Sequence, residues 1–299
     1  MRYKSKKKEP QPRDLKKDPY RLLITGHKGF IGSYVSEFIS NDPIYQDFKI
    51  DCIDLQDGND LGDFTRPHVR YDCVLHLAAF AALRESIEKP NHFWVNNVEK
   101  SKGIFKYCEV NNIRLLYASS AGAKDWWLNP YATTKRVNEA MAPYNSLGLR
   151  FFNVYREGKT SRPDMLYRML EEGTATYLTR HYRDWIHVHD VARAIVRLMI
   201  SNMVGTVDIG TGKATGVLEL AKVFGQDHLP IKEETPGEPD TLVADTTKLE
   251  EVGWYPTYNV IESATEWLQI EKEMENDESA KLDASQQEGK EAETETAST

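Results

Sequence analysis

The sequence predicts an α/β chain built on a doubly wound, mostly parallel sheet, with a small C-terminal α/β subdomain. Three observations predict it. The apolar run Leu22-Leu23-Ile24 leads into a glycine-rich turn and then an amphipathic helical pattern. Six or seven strand-like runs alternate with helical segments, as parallel sheets require. Two serines, Ser119 and Ser120, close one strand at the end where such sheets hold ligands.

The run 22–24 is too short for a helix and is bounded by Gly26, so it reads as a buried parallel strand. Gly26, Gly29 and Gly32 follow, and then Phe30, Ile31, Tyr34, Val35, Phe38 and Ile39 recur at helical spacing. The N–H groups that open this helix, with its dipole, suit a diphosphate. Glycine leaves room for the tight turn and the approaching ligand. A glycine triplet alone is weak; one between a strand and a helix points to a dinucleotide. The second strand, 48–55, ends at Asp54. An acid about twenty residues past the glycines accepts hydrogen bonds from an adenosine ribose, which favours NAD. Lys28 inside the turn leaves NADP open.

Residues 71–79 form a third buried strand, whose small end residues Ala78 and Ala79 admit a flat ligand. His76 reads as a packed core histidine. The spacing of Phe93, Trp94, Val98, Ile104, Phe105 and Tyr107 predicts one long helix over 91–111. The strand 113–120 then delivers Ser119 and Ser120. Asn129-Pro130 opens a helix over 130–147 that carries Tyr131 and Lys135. A spacing of four puts both on one face. An ammonium there favours the phenolate of Tyr131, which would then move a proton near neutral pH while Ser120 holds the reacting oxygen. The remaining expectations are a strand over 149–155, an excursion over 156–182 with a helix at 165–172, and a strand at 184–188. A helix at 189–201, a strand and turn at 205–212, and short helices within 214–268 complete the chain.

The chain has 299 residues, 40% hydrophobic and 28% charged. No apolar run is long enough to span a membrane. The N-terminus lacks the apolar stretch of a secretory signal. Cys52, Cys73 and Cys108 are odd in number and sit among apolar residues, which fits buried free thiols in a reducing cytoplasm. No Cys/His cluster has metal-ligand spacing. The net charge of −8 is uneven: 1–20 carries +5 and 271–299 carries −7. Residues 1–19 read as a disordered basic arm and 271–299 as a disordered acidic tail. The arm lacks the aromatic interleaving of a nucleic-acid binder, which disfavours that partner.

Taken together, these motifs resemble the extended short-chain dehydrogenase/reductase superfamily, in its nucleotide-sugar epimerase/dehydratase branch, over about residues 20–270. Gly26-His27-Lys28-Gly29-Phe30-Ile31-Gly32 is similar to the GxxGxxG cofactor turn, and His76-Leu77-Ala78-Ala79 to the H-[FL]-A-[AG] cofactor strand. Ser86 and Pro90 match an S-x-x-x-P segment, and Asn97-Val98 an N-V helix start. Ser120, Tyr131 and Lys135 match the catalytic set. Phe152-Asn153-Val154 is similar to F-N-[VP], Arg183 to Val188 to R-D-[FW]-[VI]-[HY]-V, and Gly210-Thr211-Gly212 to the end of N-[IV]-G-[TS]-G.

The resemblance implies a Rossmann-type domain over 20–155, completed by about 183–213, and a substrate-binding subdomain over 156–182 and 214–268. Phe30, Ile31, Asp54, Asp60, Leu61, Leu77, Ala78, Ala79, Asn97, Ser119, Tyr131 and Lys135 would join the three glycines in holding NAD. Asp63-Phe64 is the alternative to Asp60-Leu61 at the adenine. Ser86, Ser120, Asn153 and Arg183 would touch a nucleoside-diphosphate sugar. A homodimer would form through helices 91–111 and 130–147. The implied chemistry is transient hydride transfer at a sugar carbon with Tyr131 as acid/base.

Three departures bear on that expectation. Tyr131 follows Ser120 by only eleven residues, so the intervening loop is short. Ala121 and Gly122 stand where dehydratases carry an acid, which favours epimerase or reductase chemistry over dehydration. Thr235 replaces the Arg of an R-P-G-[DE] segment. The short loop and missing Arg also leave open a catalytically weak NAD(P)-binding sensor or scaffold.

Overall fold

A computed structural model describes residues 19–65, 67–233 and 235–277. The basic arm up to residue 18 and the acidic tail from 278 on lie outside the described residues, whereas 271–277, expected to be disordered with that tail, continue the last helix. In chain order the first elements are β1 (Arg21–Thr25), α1 (Phe30–Asn41), β2 (Lys49–Ile53), β3 (Cys73–His76), α2 (Leu83–Glu88), α3 (Pro90–Trp94), α4 (Ser101–Asn111), β4 (Arg114–Ser120), α5 (Pro130–Met141) and β5 (Ser146–Phe151). There follow β6 (Asn153–Tyr155), α6 (Leu166–Glu171), β7 (Tyr182–Arg183), β8 (Trp185–His187), α7 (Val188–Met199), β9 (Gly205–Ile209), β10 (Thr215–Gly216), α8 (Val217–Val223), β11 (Thr241–Leu242) and α9 (Thr247–Glu251). A last helix runs over 260–277. No helix among the described residues is long and apolar enough to cross a membrane.

The described residues divide into two compact units. The first holds the chain up to Phe151 with Val191–Ile209 and Thr246–Trp254. Its six strands are all parallel, in the order β2-β1-β3-β4-β5-β9. The order reverses between β1 and β3, and the crevice at such a switch point is where open α/β sheets bind ligands. Leu22, Leu23, Ile24, Val74, Leu75, Leu115 and Leu116 are buried, because a parallel sheet is covered on both faces. The edge strand β2 is the exception. Cys52 on it is exposed, against the expectation of burial, whereas Cys73 and Cys108 are buried; all three are free thiols.

The second unit holds Phe152–Asp190, Gly210–Asp245 and the described residues from Tyr255 on. Residues 183–190, expected with the first unit, group here. β6 pairs with β8 in parallel, and β7 lies between antiparallel β10 and parallel β11. Tyr155, Tyr167, Leu170, Trp185, Leu220 and Ala264 share its core.

Three element boundaries differ from expectation. The helix expected over 91–111 is interrupted, with five π-helical residues, Val95–Glu99, between α3 and α4. The wider turn rephases the helix, so Trp94 and Val95 are exposed while Asn97 and Val98 are buried. The helix expected over 130–147 stops at Met141. Pro143 forces Ala142 into an extended conformation (φ −63°, ψ 139°). The strand expected over 149–155 starts earlier, at Ser146, and breaks at Phe152 into β5 and β6, which join different sheets.

Candidate active site

At the end of β1 the chain turns through Gly26 at φ +76°. A Cβ there would lie 2.5 Å from the Ala78 backbone nitrogen, and one on Gly32 would lie 2.0 Å from the Gly26 carbonyl oxygen. Both positions therefore require glycine. Helix α1 starts at Phe30 with no side-chain cap, so the first-turn N–H groups of Phe30, Ile31 and Gly32 have no intrahelical partner. Asp54 is buried at the end of β2, and its carboxylate accepts the Lys28 and Gln56 N–H groups, each at 2.9 Å. A carboxylate offers about four acceptor positions, which leaves capacity for ribose hydroxyls. An uncapped helix start, a turn that excludes any Cβ and an acid beside it fit the diphosphate and ribose of a dinucleotide.

After β2, Asp60 pairs with Lys100 at 2.5 Å and caps Gly62 N–H at 2.7 Å, and Leu61 is buried. Leu77 and Ala78 lie just past β3, where the Leu77 N–H donates to the Thr25 carbonyl. Ala79 follows in the same loop, partly exposed. His76 is enclosed between the hydroxyls of Thr25 (2.7 Å) and Ser101 (2.9 Å). Burial, helped by the Lys135 charge, pushes its pKa down to about 3, so it is a neutral core histidine. Asn97 is fully buried, and its amide holds both the N–H and the carbonyl of Phe80 and reaches Thr134 on α5. It ties the loop after β3 to α5; the π-helical turn is what aims it there.

The candidate catalytic residues lie at the end of β4 and on the first turns of α5. Asn129 caps α5 by accepting the Ala132 N–H at 2.8 Å, and Pro130 occupies its first position. Tyr131 is half-buried and Lys135 is buried. The Lys135 ammonium donates to the Ala118 carbonyl at 2.9 Å and lies 5.7 Å from the Tyr131 ring centroid. Burial pushes its pKa down to about 7. Ser120 ends β4 and accepts the Gly122 N–H at 3.2 Å, starting the 3₁₀ segment Ala121–Leu128.

Like Asn97, two further residues predicted to touch ligands have protein partners. The Ser119 hydroxyl donates to Glu139 at 2.6 Å, in a buried position. Ser86 is fully buried; its hydroxyl donates to the Leu83 carbonyl and accepts the Tyr131 N–H at 3.1 Å. Ser86 thus seats the first turn of α5, and its hydroxyl has no face open to a sugar.

In the second unit Arg183 is buried and donates to the Tyr182 and Asp240 carbonyls (3.1 Å each) and His181 Nδ1 (2.7 Å). Its guanidinium lies 3.5 Å from Glu238. Thr235, which stands where an Arg was expected, bonds the other nitrogen of His181 at 3.0 Å. Asn153 is partly exposed, with its N–H on the Asp184 carbonyl. Among the described residues no group of three or more His, Cys, Asp or Glu could hold a metal ion.

Comparison with known proteins fits this geometry. The family model for the NAD dependent epimerase/dehydratase family matches residues 22–210, which spans β1 through β9. The chain belongs to the NAD-dependent epimerase/dehydratase family. It is an enzyme of this family by that match. A UDP-glucose 4-epimerase of Pisum sativum is 26% identical over 329 aligned positions, covering 81% of this chain and 93% of the relative. A UDP-glucose 4-epimerase of Rhizobium leguminosarum bv. trifolii is 26% identical, covering 82% and 96%. Among solved structures, UDP-glucose 4-epimerase from Thermotoga maritima with UDP-glucose superposes with TM-score 0.67 at 22% identity, covering 85% and 99%. An NAD-dependent NDP-hexosamine 5,6-dehydratase of tunicamycin biosynthesis gives TM-score 0.71 at 20% identity, covering 84% and 98%. At such identities the structures speak to the fold, which is shared by epimerases and dehydratases of the family.

Sequence reading missed the groups that hold the site. Glu139 lies two helical turns beyond Tyr131 on the same face, and that spacing was the available signal. It accepts Arg150 at 2.7 and 2.8 Å, Arg136 at 3.1 Å and Ser119. Asp208 on β9 pairs with Lys124 of the short loop and lies 4.0 Å from Arg150. Apart from the i,i+3 pair of Arg136 and Glu139, these pairings join different elements, so no local pattern announces them. In the second unit Asp184 is fully buried and accepts the Thr211, Gly212 and Ala244 N–H groups.

Proposed function

We propose that this enzyme is an NAD-dependent nucleotide-sugar epimerase that works by transient hydride transfer at a sugar carbon, with Tyr131 as acid/base. The observation that carries the reading is the buried Lys135 ammonium beside the Tyr131 ring, on a helix seated at the end of the strand that presents Ser120. NAD would be held by Gly26, Gly29, Gly32 and the first-turn N–H groups of α1, with Asp54 on its ribose and Asp60-Leu61 toward the adenine. Bound there, NAD supplies an acceptor for the sugar's hydride and returns it.

The chain's own part is proton transfer and orientation. Tyr131 removes the proton from the reacting sugar hydroxyl and later restores it. Lys135 stabilises the phenolate electrostatically, and its ammonium is fixed by the Ala118 carbonyl. Ser120 hydrogen-bonds the same sugar oxygen. Ala121 and Gly122 offer no carboxylate to move a second proton, which supports epimerisation over dehydration. Asn153 and Arg183 are the side chains we assign to the nucleoside diphosphate; Arg183 would exchange Glu238 for a phosphate oxygen. The family's dimer would use α4 and α5, with α5 ending at Met141.

The test is the absorbance of reduced nicotinamide, and turnover, on adding UDP-glucose, UDP-galactose and related sugar nucleotides. Tyr131→Phe should lower turnover by about a hundredfold, within the range for loss of a general acid–base group. Equal turnover in both proteins would overturn the assignment. The partnering of Arg183 by Glu238 favours one second reading, a catalytically weak cofactor sensor. Calorimetry separates the two, since a sensor binds NAD and no sugar nucleotide.

A further inference from the structure

The glycine turn carries two cationic or potentially cationic side chains, His27 and Lys28, at the place where the dinucleotide reading puts the adenosine ribose. Both face one acid. His27 Nε2 lies 3.2 Å from the Asp57 carboxylate, and the Lys28 ammonium pairs with the other oxygen of the same carboxylate. On its other side the His27 ring approaches Asp54, with Nδ1 at 4.0 Å. That Nδ1 is buried and has no hydrogen-bond partner. The Lys28 backbone N–H is on Asp54. The carboxylates of Asp54 and Asp57 therefore bracket the turn, and the side chains of His27 and Lys28 lie toward Asp57. Asp57 belongs to the 3₁₀ turn Leu55–Asp57 that Asp54 itself caps, so one short segment places both acids.

We propose that Asp57 is a specificity-determining residue: by binding the Lys28 ammonium, with the His27 ring beside it, it removes the cation that a ribose 2′-phosphate would need, and so makes this turn select NAD over NADP. The inference rests on the dinucleotide reading above and extends it to the cofactor's ribose. A 2′-phosphate adds close to two negative charges. Asp54 opposes them directly, while a lysine in the turn would attract them if it were free. Lys28 is a point charge on a long flexible stem, able to reach any anion within its radius. Only its counter-ion decides whether that charge is available. The two acids therefore act differently: Asp54 accepts from ribose hydroxyls, and Asp57 touches the protein's own cation.

The experiment is calorimetric titration of the full chain with NAD and with NADP, in wild type, Asp57→Ala, Asp57→Asn and the double variant Asp57→Ala/Lys28→Ala. Wild type should bind NAD more tightly than NADP. Asp57→Ala should lower the ratio of the NADP Kd to the NAD Kd by about tenfold or more, the scale for removing one opposed charge at contact range near a surface. Asp57→Asn should act in the same direction, which guards against a packing defect in the alanine variant. The double variant should lose the gain. A ratio unchanged in both single variants, a gain that survives removal of Lys28, or a wild type that prefers NADP overturns the proposal. Wild type that binds neither dinucleotide overturns instead the reading on which it rests.

Discussion

Replacing Glu139 with Gln keeps the side chain's volume and removes its charge. The carboxylate is buried and accepts four bonds: two from Arg150, one from Arg136 and one from Ser119. Gln retains one acceptor oxygen, so the bidentate Arg150 pair is halved and the guanidinium is left with Asp208 at 4.0 Å as its remaining anion. Breaking a fully buried pair costs about 3–5 kcal/mol. Arg150 keeps 17% of its side chain exposed, so water recovers part of that, and about 3 kcal/mol is expected. In a chain of 299 residues that corresponds to a fall of about 5 °C in Tm. Urea unfolding followed by circular dichroism measures it.

The same site has a pH signature. Burial alone would raise the Glu139 pKa, but the bonds from Arg150, Ser119 and Arg136 outweigh it and hold the carboxyl below the usual range. A depressed folded pKa contributes stability above the unfolded value of about 4.3, and loses it as pH falls through the folded value. Wild type should therefore lose more stability than Glu139→Gln between about pH 5 and pH 3. A variant within about 0.5 kcal/mol of wild type at pH 7, with a parallel acid limb, would refute this account of the network.

Other outcomes test the site from different sides. Lys124→Met cuts the short loop from Asp208; turnover should fall about tenfold while NAD affinity holds, and Lys124→Arg should recover most of it, since a misplaced loop affects orientation more than binding. Gly32→Ala forces a Cβ to within 2.0 Å of the Gly26 carbonyl, and overpacking against backbone should cost about 3 kcal/mol and abolish calorimetric NAD binding. Asp184→Ala leaves the N–H groups of Thr211, Gly212 and Ala244 without their acceptor and should destabilise by about 3 kcal/mol, read by urea unfolding. Sedimentation at micromolar concentration should show a dimer; monomer alone would count against pairing through α4 and α5.

The strand, glycine turn and helix at residues 21–41 were legible because each is local. Apolar run, required glycines and helical spacing all lie within one short stretch. Tyr131 and Lys135 were legible for the same reason, being one helical turn apart. Boundaries were less so. The stop of α5 at Met141 was announced by Pro143, yet the apolar pattern beyond it reads equally as helix or strand. The π-helical turn at Val95–Glu99 left no local mark, since the contacts it allows Asn97, to Phe80 and Thr134, are with other segments. The resemblance assigned the hydroxyls of Ser86 and Ser119 to ligands, and each has a protein partner from elsewhere in the chain, the Tyr131 N–H and Glu139.

The sequence by itself determined the alternation of strands and helices, the glycine turn, the acid after β2 and the face shared by Tyr131 and Lys135. All of these are relations over a few residues, set by backbone geometry and side-chain periodicity. Tertiary structure alone decided which charges meet: Lys28 and His27 on Asp57, Lys124 on Asp208, Arg150 on Glu139, Arg183 near Glu238. Electrostatic partners are chosen by proximity after packing, and burial then sets how strongly each charge is held, as it does for Lys135.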